Sequence, residues 1–236
     1  VIGMNSPILL DGPRVAPASG TATHLVVLVH GYGADGSDLI GLAPHWQRLL
    51  PQAAFVAPNA PERIPGMPWG YQWFSLSAYD PDMLRRDPVL APGIYQEMRE
   101  GAARAAAPLA AFLDAELARH RLGPDRLALV GFSQGTMMAL QVGLRRHVAP
   151  AAIVGFSGAL IGADRLPAEI TARPPVLLIH GDEDEIVPVE ALQAGVDGLA
   201  AAGVAVRAHV CAGLGHGIDQ EGLELAGDFL AEYLKA

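Results

Sequence analysis

The pentapeptide Gly131-Phe132-Ser133-Gln134-Gly135 sets one serine midway between two glycines. It follows the apolar run at 127–130 and precedes a helix-forming stretch that begins at Thr136. On a tight strand-to-helix turn a serine projects its hydroxyl clear of the sheet only if the positions two residues away on either side lack a side chain, because the backbone passes close to its neighbours there. That is the setting of a nucleophile. A serine hydroxyl is a weak nucleophile near neutral pH, so it needs a base within hydrogen-bond reach and a third group to orient that base. The chemistry of such a set is acyl transfer.

Among the eight histidines, His216 in Gly213-Leu214-Gly215-His216-Gly217 stands in a loop between the strand candidate that starts at Val204 and extends toward Val210 and the last helical stretch. It is the candidate base. His24, His45, His120, His147 and His209 fall at strand starts or within helical stretches, and His30 and His180 sit in His-Gly turns suited to bracing loops. The orienting carboxylate should lie in the acidic run at 182–185, which follows the apolar run at 176–179. That run also fits a solvated acidic loop, and it lacks the alternating ligand spacing of a calcium loop. By position alone, Asp182 and Asp184 compete. Two backbone N–H donors must hold the oxyanion. The amide of Gln134, directly after the serine, is one candidate, and the amide of Tyr32 in His30-Gly31-Tyr32-Gly33 is the other. Since the donors are main chain, the side chains of Tyr32 and Gln134 are expected to be nearly free to vary.

These groups need elements that bring them to one edge. Continuous apolar runs at 24–29, 53–57, 127–130, 152–154, 176–179 and 204–206 are strand candidates. They alternate with helical stretches at 37–50, 93–120, 136–147, 189–202 and 222–234. Buried strands separated by helices imply right-handed crossovers and a mainly parallel sheet with helices on both faces. Function then belongs at the carboxyl ends of the strands. Residues 8–15 suit an antiparallel edge hairpin. The proline-rich region 58–92 lacks periodicity and is expected to be an irregular loop over the site. Its Met67, Trp73 and Phe74 are candidate apolar walls of a substrate pocket.

The chain has 236 residues, 51% of them hydrophobic and 17% charged, which suits a single packed domain over 1–236 and excludes disorder. A net charge of −9 opposes binding to nucleic acid. A single cysteine, Cys211, excludes an internal disulfide and a Cys-based zinc site of the zinc-finger kind. No apolar stretch is long enough to span a membrane, and no charged segment followed by an apolar one marks the start of the chain. The expectation is a cytoplasmic protein.

Taken together, the motifs resemble those of the carboxylesterase and acyl-protein thioesterase family, also called phospholipase/carboxylesterase, of the α/β-hydrolase superfamily. The resemblance is carried by His30-Gly31-Tyr32-Gly33 with Asp35-Gly36, Ala57-Pro58-Asn59-Ala60-Pro61, the serine pentapeptide, His180-Gly181-Asp182-Glu183-Asp184 with Val187-Pro188, and Gly215-His216. It implies an α/β-hydrolase fold and a triad of Ser133, Asp184 and His216, the family's H-G-x-x-D pattern selecting Asp184. It also implies hydrolysis of short- to medium-chain carboxylic esters through an acyl-serine intermediate, with no cofactor and no metal. Acyl-protein or acyl-CoA thioesterase and lysophospholipase activity use the same residues and are the alternative. A non-catalytic binding protein on this fold is expected to have lost one of these groups. A small-molecule ester or thioester is the expected partner, and an exposed apolar rim around the 58–92 loop would suit a homodimer. The chain departs from the family in having Tyr32 where leucine is usual and Trp73-Phe74-Ser75 where Trp-Phe-Asp is usual.

Overall fold

A computed structural model describes residues 9–79 and 91–235 of the chain. Its strands are β1 (Arg14–Val15), β2 (His24–Val29), β3 (Ala53–Val56), β4 (Glu62–Ile64), β5 (Met67–Gln72), β6 (Leu127–Phe132), β7 (Ala152–Phe156), β8 (Val176–Gly181) and β9 (Val206–Cys211). Its helices are α1 (Gly36–Ile40), α2 (Ala43–Trp46), α3 (Ala91–His120), α4 (Gln134–Gly143), α5 (Leu166–Glu169), α6 (Glu190–Ala201) and α7 (Gln220–Tyr233). Among the described residues the main sheet runs β1-β3-β2-β6-β7-β8-β9, parallel throughout except for β1, which pairs antiparallel with β3.

The continuous apolar runs follow from burial on both faces. In β2, Leu25, Val27 and Val29 enter a core layer shared with residues of α3, α4 and α6, whereas Val26 and Leu28 enter the opposite layer with residues of α1, α2 and α7. Successive strand residues point to opposite faces, so a strand covered on both sides has no polar register left. Each such side chain contributes roughly 1.5–3 kcal/mol by leaving water. Because the strands are parallel, the loops after β2, β6, β8 and β9, which carry the candidate chemistry, emerge at the same edge.

Several expectations change. The stretch 37–50 breaks into α1 and α2, the second starting with Pro44 in its first turn, where the missing N–H costs nothing. The edge hairpin reduces to the two-residue β1, and residues 1–8 lie outside the described residues. The last strand runs over 206–211 rather than 204–206. The region 58–92 is not wholly irregular: β4 and β5 form a two-stranded hairpin, and α3 begins at Ala91. Residues 80–90 of that region lie outside the described residues.

Candidate active site

Ser133 sits between β6 and α4 with φ 54° and ψ −119°, a left-handed backbone that costs about 1–3 kcal/mol and is held by its surroundings. The Ser133 amide donates to the Phe156 carbonyl at the end of β7 (2.9 Å), and the Ser133 carbonyl accepts from the Thr136 amide (2.9 Å). The flanking glycines are needed for close approach. A Cβ on Gly131 would fall 2.4 Å from the Gly135 carbonyl oxygen, and one on Gly135 would fall 1.8 Å from that of Val29. Among the described residues the Ser133 hydroxyl makes no hydrogen bond, and it opens onto a cavity of about 690 Å³ that His216 also lines.

The two competing aspartates separate cleanly. Asp182 Oδ1 accepts from the Gly213 amide at 2.6 Å and shapes the turn ahead of His216. Asp184 is the carboxylate turned inward, its side chain wholly buried against a His216 side chain that is 20% exposed. Asp184 Oδ1 accepts from the amides of Ile186 (2.9 Å) and Val187 (2.8 Å), and Oδ2 lies 2.8 Å from His216 Nδ1. An ionised carboxylate only accepts, so Nδ1 carries the proton and Nε2 keeps a free lone pair. His180, also buried, has Nε2 2.8 Å from the Val187 carbonyl and 3.3 Å from Asp184 Oδ2. Its Nε2–H is spent on the Val187 carbonyl, and the ring lies beside the same carboxylate oxygen, a contact that sequence spacing did not signal. The Phe132 ring packs on His216 with centroids 4.9 Å apart.

The amides of Tyr32 and Gln134 donate to no protein group among the described residues. Gln134 is the first residue of α4, where backbone N–H groups have no intrahelical acceptor. Its side chain is far from free to vary. It is fully buried, with Oε1 accepting from the Trp73 amide and Nε2 donating to the Phe74 carbonyl, both at 2.8 Å. Gln134→Ala strands those two buried backbone groups and is expected to cost about 2–4 kcal/mol. The melting temperature should fall by roughly 5–15 °C, read by calorimetry. A fall of a degree or less would show that the clamp is dispensable. Tyr32 is 38% exposed at the cavity mouth, as a residue contributing main chain alone would be.

The expected pocket walls are corrected. Trp73 and Phe74 are core residues, 1% and 2% exposed, and neither lines the cavity. The segment after β5 turns inward, where Trp73 Nε1 donates to the His30 carbonyl (2.9 Å) and Phe74 packs against α3 at Gly101. Met67 lies on the hairpin against Gly33 and Gly70, behind the 30–34 loop. These residues pack behind the 30–34 loop and do not line the cavity. The cavity walls are Leu76, Met98, Met137, Leu160, Ile186 and Val187, drawn from α3, α4 and the loops after β5, β7 and β8. Met137, one turn after Ser133 on α4, was accessible to sequence reasoning, since a side chain four residues on shares that helix face.

His30 is the brace of this loop. The Ala60 amide donates to Nε2 (2.9 Å), so Nδ1 carries the proton and donates to the Gly31 carbonyl (2.7 Å). Burial holds the imidazole below the ordinary histidine pKa, against the opposing Gly31 carbonyl and the charges of Asp35 and Asp38. Burial and Arg126 lower His24 as well. An unfolded chain takes up these protons near pH 6.5 and the folded chain only at lower pH, so stability falls with acidification below about 6.5. The urea midpoint should be lower at pH 5.5 than at pH 7.5. Equal midpoints would contradict the neutral braces.

Comparison with known proteins gives a consistent result. The phospholipase/carboxylesterase family model matches residues 10–234. Acyl-protein thioesterase 1 of Gibberella zeae is 29% identical over 240 residues, covering 94% of this chain and 95% of that protein. Esterase YpfH of Escherichia coli is 29% identical over 213 residues, covering 89% and 82%. The crystal structure of esterase PE8 superposes with a TM-score of 0.87 at 44% identity, covering 96% of this chain and all of that one. Among the described residues no helix is long and apolar enough to cross a membrane.

Proposed function

Since the chain belongs to the phospholipase/carboxylesterase family and has the α/β-hydrolase fold of a serine hydrolase acting on esters, we propose that Ser133 is its nucleophile, His216 its general base and Asp184 the acid that orients the base. The reading rests above all on one convergence: Ser133 and His216 line one apolar cavity, and Asp184 is buried behind the imidazole. His216 Nε2 takes the proton of the Ser133 hydroxyl as its oxygen attacks the acyl carbon, and the amides of Tyr32 and Gln134 receive the oxyanion. The imidazolium, stabilised by Asp184, returns the proton to the departing oxygen or sulfur. Water then repeats the sequence on the acyl-serine. His180, bonded through Nε2 to the Val187 carbonyl, braces the loop whose Val187 amide holds Asp184.

The substrates we propose are short- to medium-chain carboxylic esters. A cavity of about 690 Å³ lies within the usual range for small molecules, and its walls are mostly apolar. The thioester reading draws on relatives that are named acyl-protein thioesterases. Only the leaving group differs, so paired kcat/KM values on an ester and a thioester of the same acyl chain rank the two. A series from butyrate to palmitate should peak at or below octanoate, and a maximum at palmitate would overturn the chain-length assignment. A fluorophosphonate probe should label one peptide, the one containing Ser133. Labelling elsewhere, or none, would remove Ser133 from its role.

A further inference from the structure

Away from the cavity, a second group of chemistry-bearing side chains meets at the base of the loop that carries His216. His209 and Cys211 stand two residues apart on β9 and so share a face of the strand, while Asp219 caps α7 and Glu221 lies in its first turn. One ligand atom from each of His209, Cys211 and Glu221 lies within 4.8 Å of the other two. The Cys211 thiol is 3.5 Å from Asp219 Oδ1. His209 Nε2 is 3.1 Å from Glu221 Oε1 yet is buried without an aligned hydrogen bond, an orphaned polar atom that faces this cluster. Burial, the hydrogen bond to Asp219 and the charges of Asp219, Glu221 and Asp182 push the thiol up to about 12.

We propose that His209, Cys211 and Glu221 form a binding site for a thiophilic divalent cation of the Zn²⁺ class. Thiolate, imidazole and carboxylate are the donors such an ion takes together, and at its usual bond lengths tetrahedral donors stand about 3.3–3.8 Å apart. The His209–Glu221 spacing is already near that range. Closing the rest needs a shift of about 1 Å, which the partly exposed His209 and the exposed Glu221 side chains can make toward the fixed Cys211. On binding, the S–H bond breaks, its proton leaves to solvent and a metal–sulfur bond forms, with no change of oxidation state. A dication, a thiolate and one carboxylate sum to zero charge with a neutral imidazole. Cys211 precedes the 212–219 loop and Glu221 follows it, so the ion ties both ends of the segment that holds His216.

The test titrates Cd²⁺ into the chelator-treated full chain while the thiolate-to-metal charge-transfer absorption is followed. Cys211 is the only cysteine in the sequence, so the band can arise at no other thiol. The expected result is saturation at one ion per chain with release of one proton, reversal by Zn²⁺, and affinity at least about tenfold weaker in both His209→Ala and Glu221→Gln. Circular dichroism of both variants is expected to stay native, which separates loss of the site from loss of folding. Cys211→Ser should abolish the band while circular dichroism stays native. No band at millimolar Cd²⁺ would overturn the proposal, and so would a band whose affinity neither His209→Ala nor Glu221→Gln changes, since the thiol would then be acting alone.

Discussion

Ser133→Ala is expected to lower kcat against p-nitrophenyl butyrate by on the order of 10⁵–10⁶ and leave the melting temperature nearly unchanged. The substitution removes only an oxygen that makes no hydrogen bond among the described residues. Alanine keeps the Cβ, so the strained turn at φ 54° bears about the same cost as before. The amides of Tyr32 and Gln134 survive, and the remaining acceleration over water should be theirs and that of binding, roughly 10³–10⁴. Gly135→Ala provides the contrast. A methyl group 1.8 Å from the Val29 carbonyl oxygen forces the elbow off β2, so activity and stability should fall together. A Ser133→Ala enzyme that keeps a tenth of its kcat would exclude the hydroxyl as nucleophile, whatever its stability.

The elbow was legible because two independent constraints coincide in the sequence: an apolar run that must be a buried strand, and glycines where two backbones nearly touch. The carboxylate was not legible in the same way. Asp182 and Asp184 stand two residues apart in one loop, and spacing does not say which turns inward. The decision is made by amides of Ile186 and Val187 that face only one of them, a fact of loop conformation. The pocket walls were misread for a related reason. A region without periodicity offers no face to assign, and large apolar side chains such as Trp73 and Phe74 go into the core before they go to a cavity. One missed signal was local: Pro65-Gly66 between two short runs is a type II turn pair, and Gly66 indeed has φ +79° at the tip of the β4–β5 hairpin. Edge strand β9 was placed early because its polar residues Arg207 and His209 interrupt the apolar pattern that the central strands keep.

The buried side chain of Asp184 makes a second large effect predictable in detail, including how an isosteric replacement will sit. In Asp184→Asn the amides of Ile186 and Val187 still require an acceptor, so the asparagine oxygen keeps the place of Oδ1. Its NH₂ group is thereby driven into the place of Oδ2, 2.8 Å from His216 Nδ1 and 3.3 Å from His180 Nε2. A donor there forces His216 to accept at Nδ1 and to carry its proton on Nε2, the tautomer that cannot take a proton from Ser133. The expected loss in kcat is about 10⁴-fold with substrate binding little changed, because the carboxylate touches no substrate. Asp182→Asn is the matched control. Its carboxylate holds the Gly213 amide and no imidazole, so asparagine oxygen can replace it and kcat should change by less than about threefold, as for an exposed neutral-acceptor swap. If the two variants lost activity equally, the acidic run would be acting through its summed charge on the His216 loop, and the assignment of one oriented carboxylate would fail.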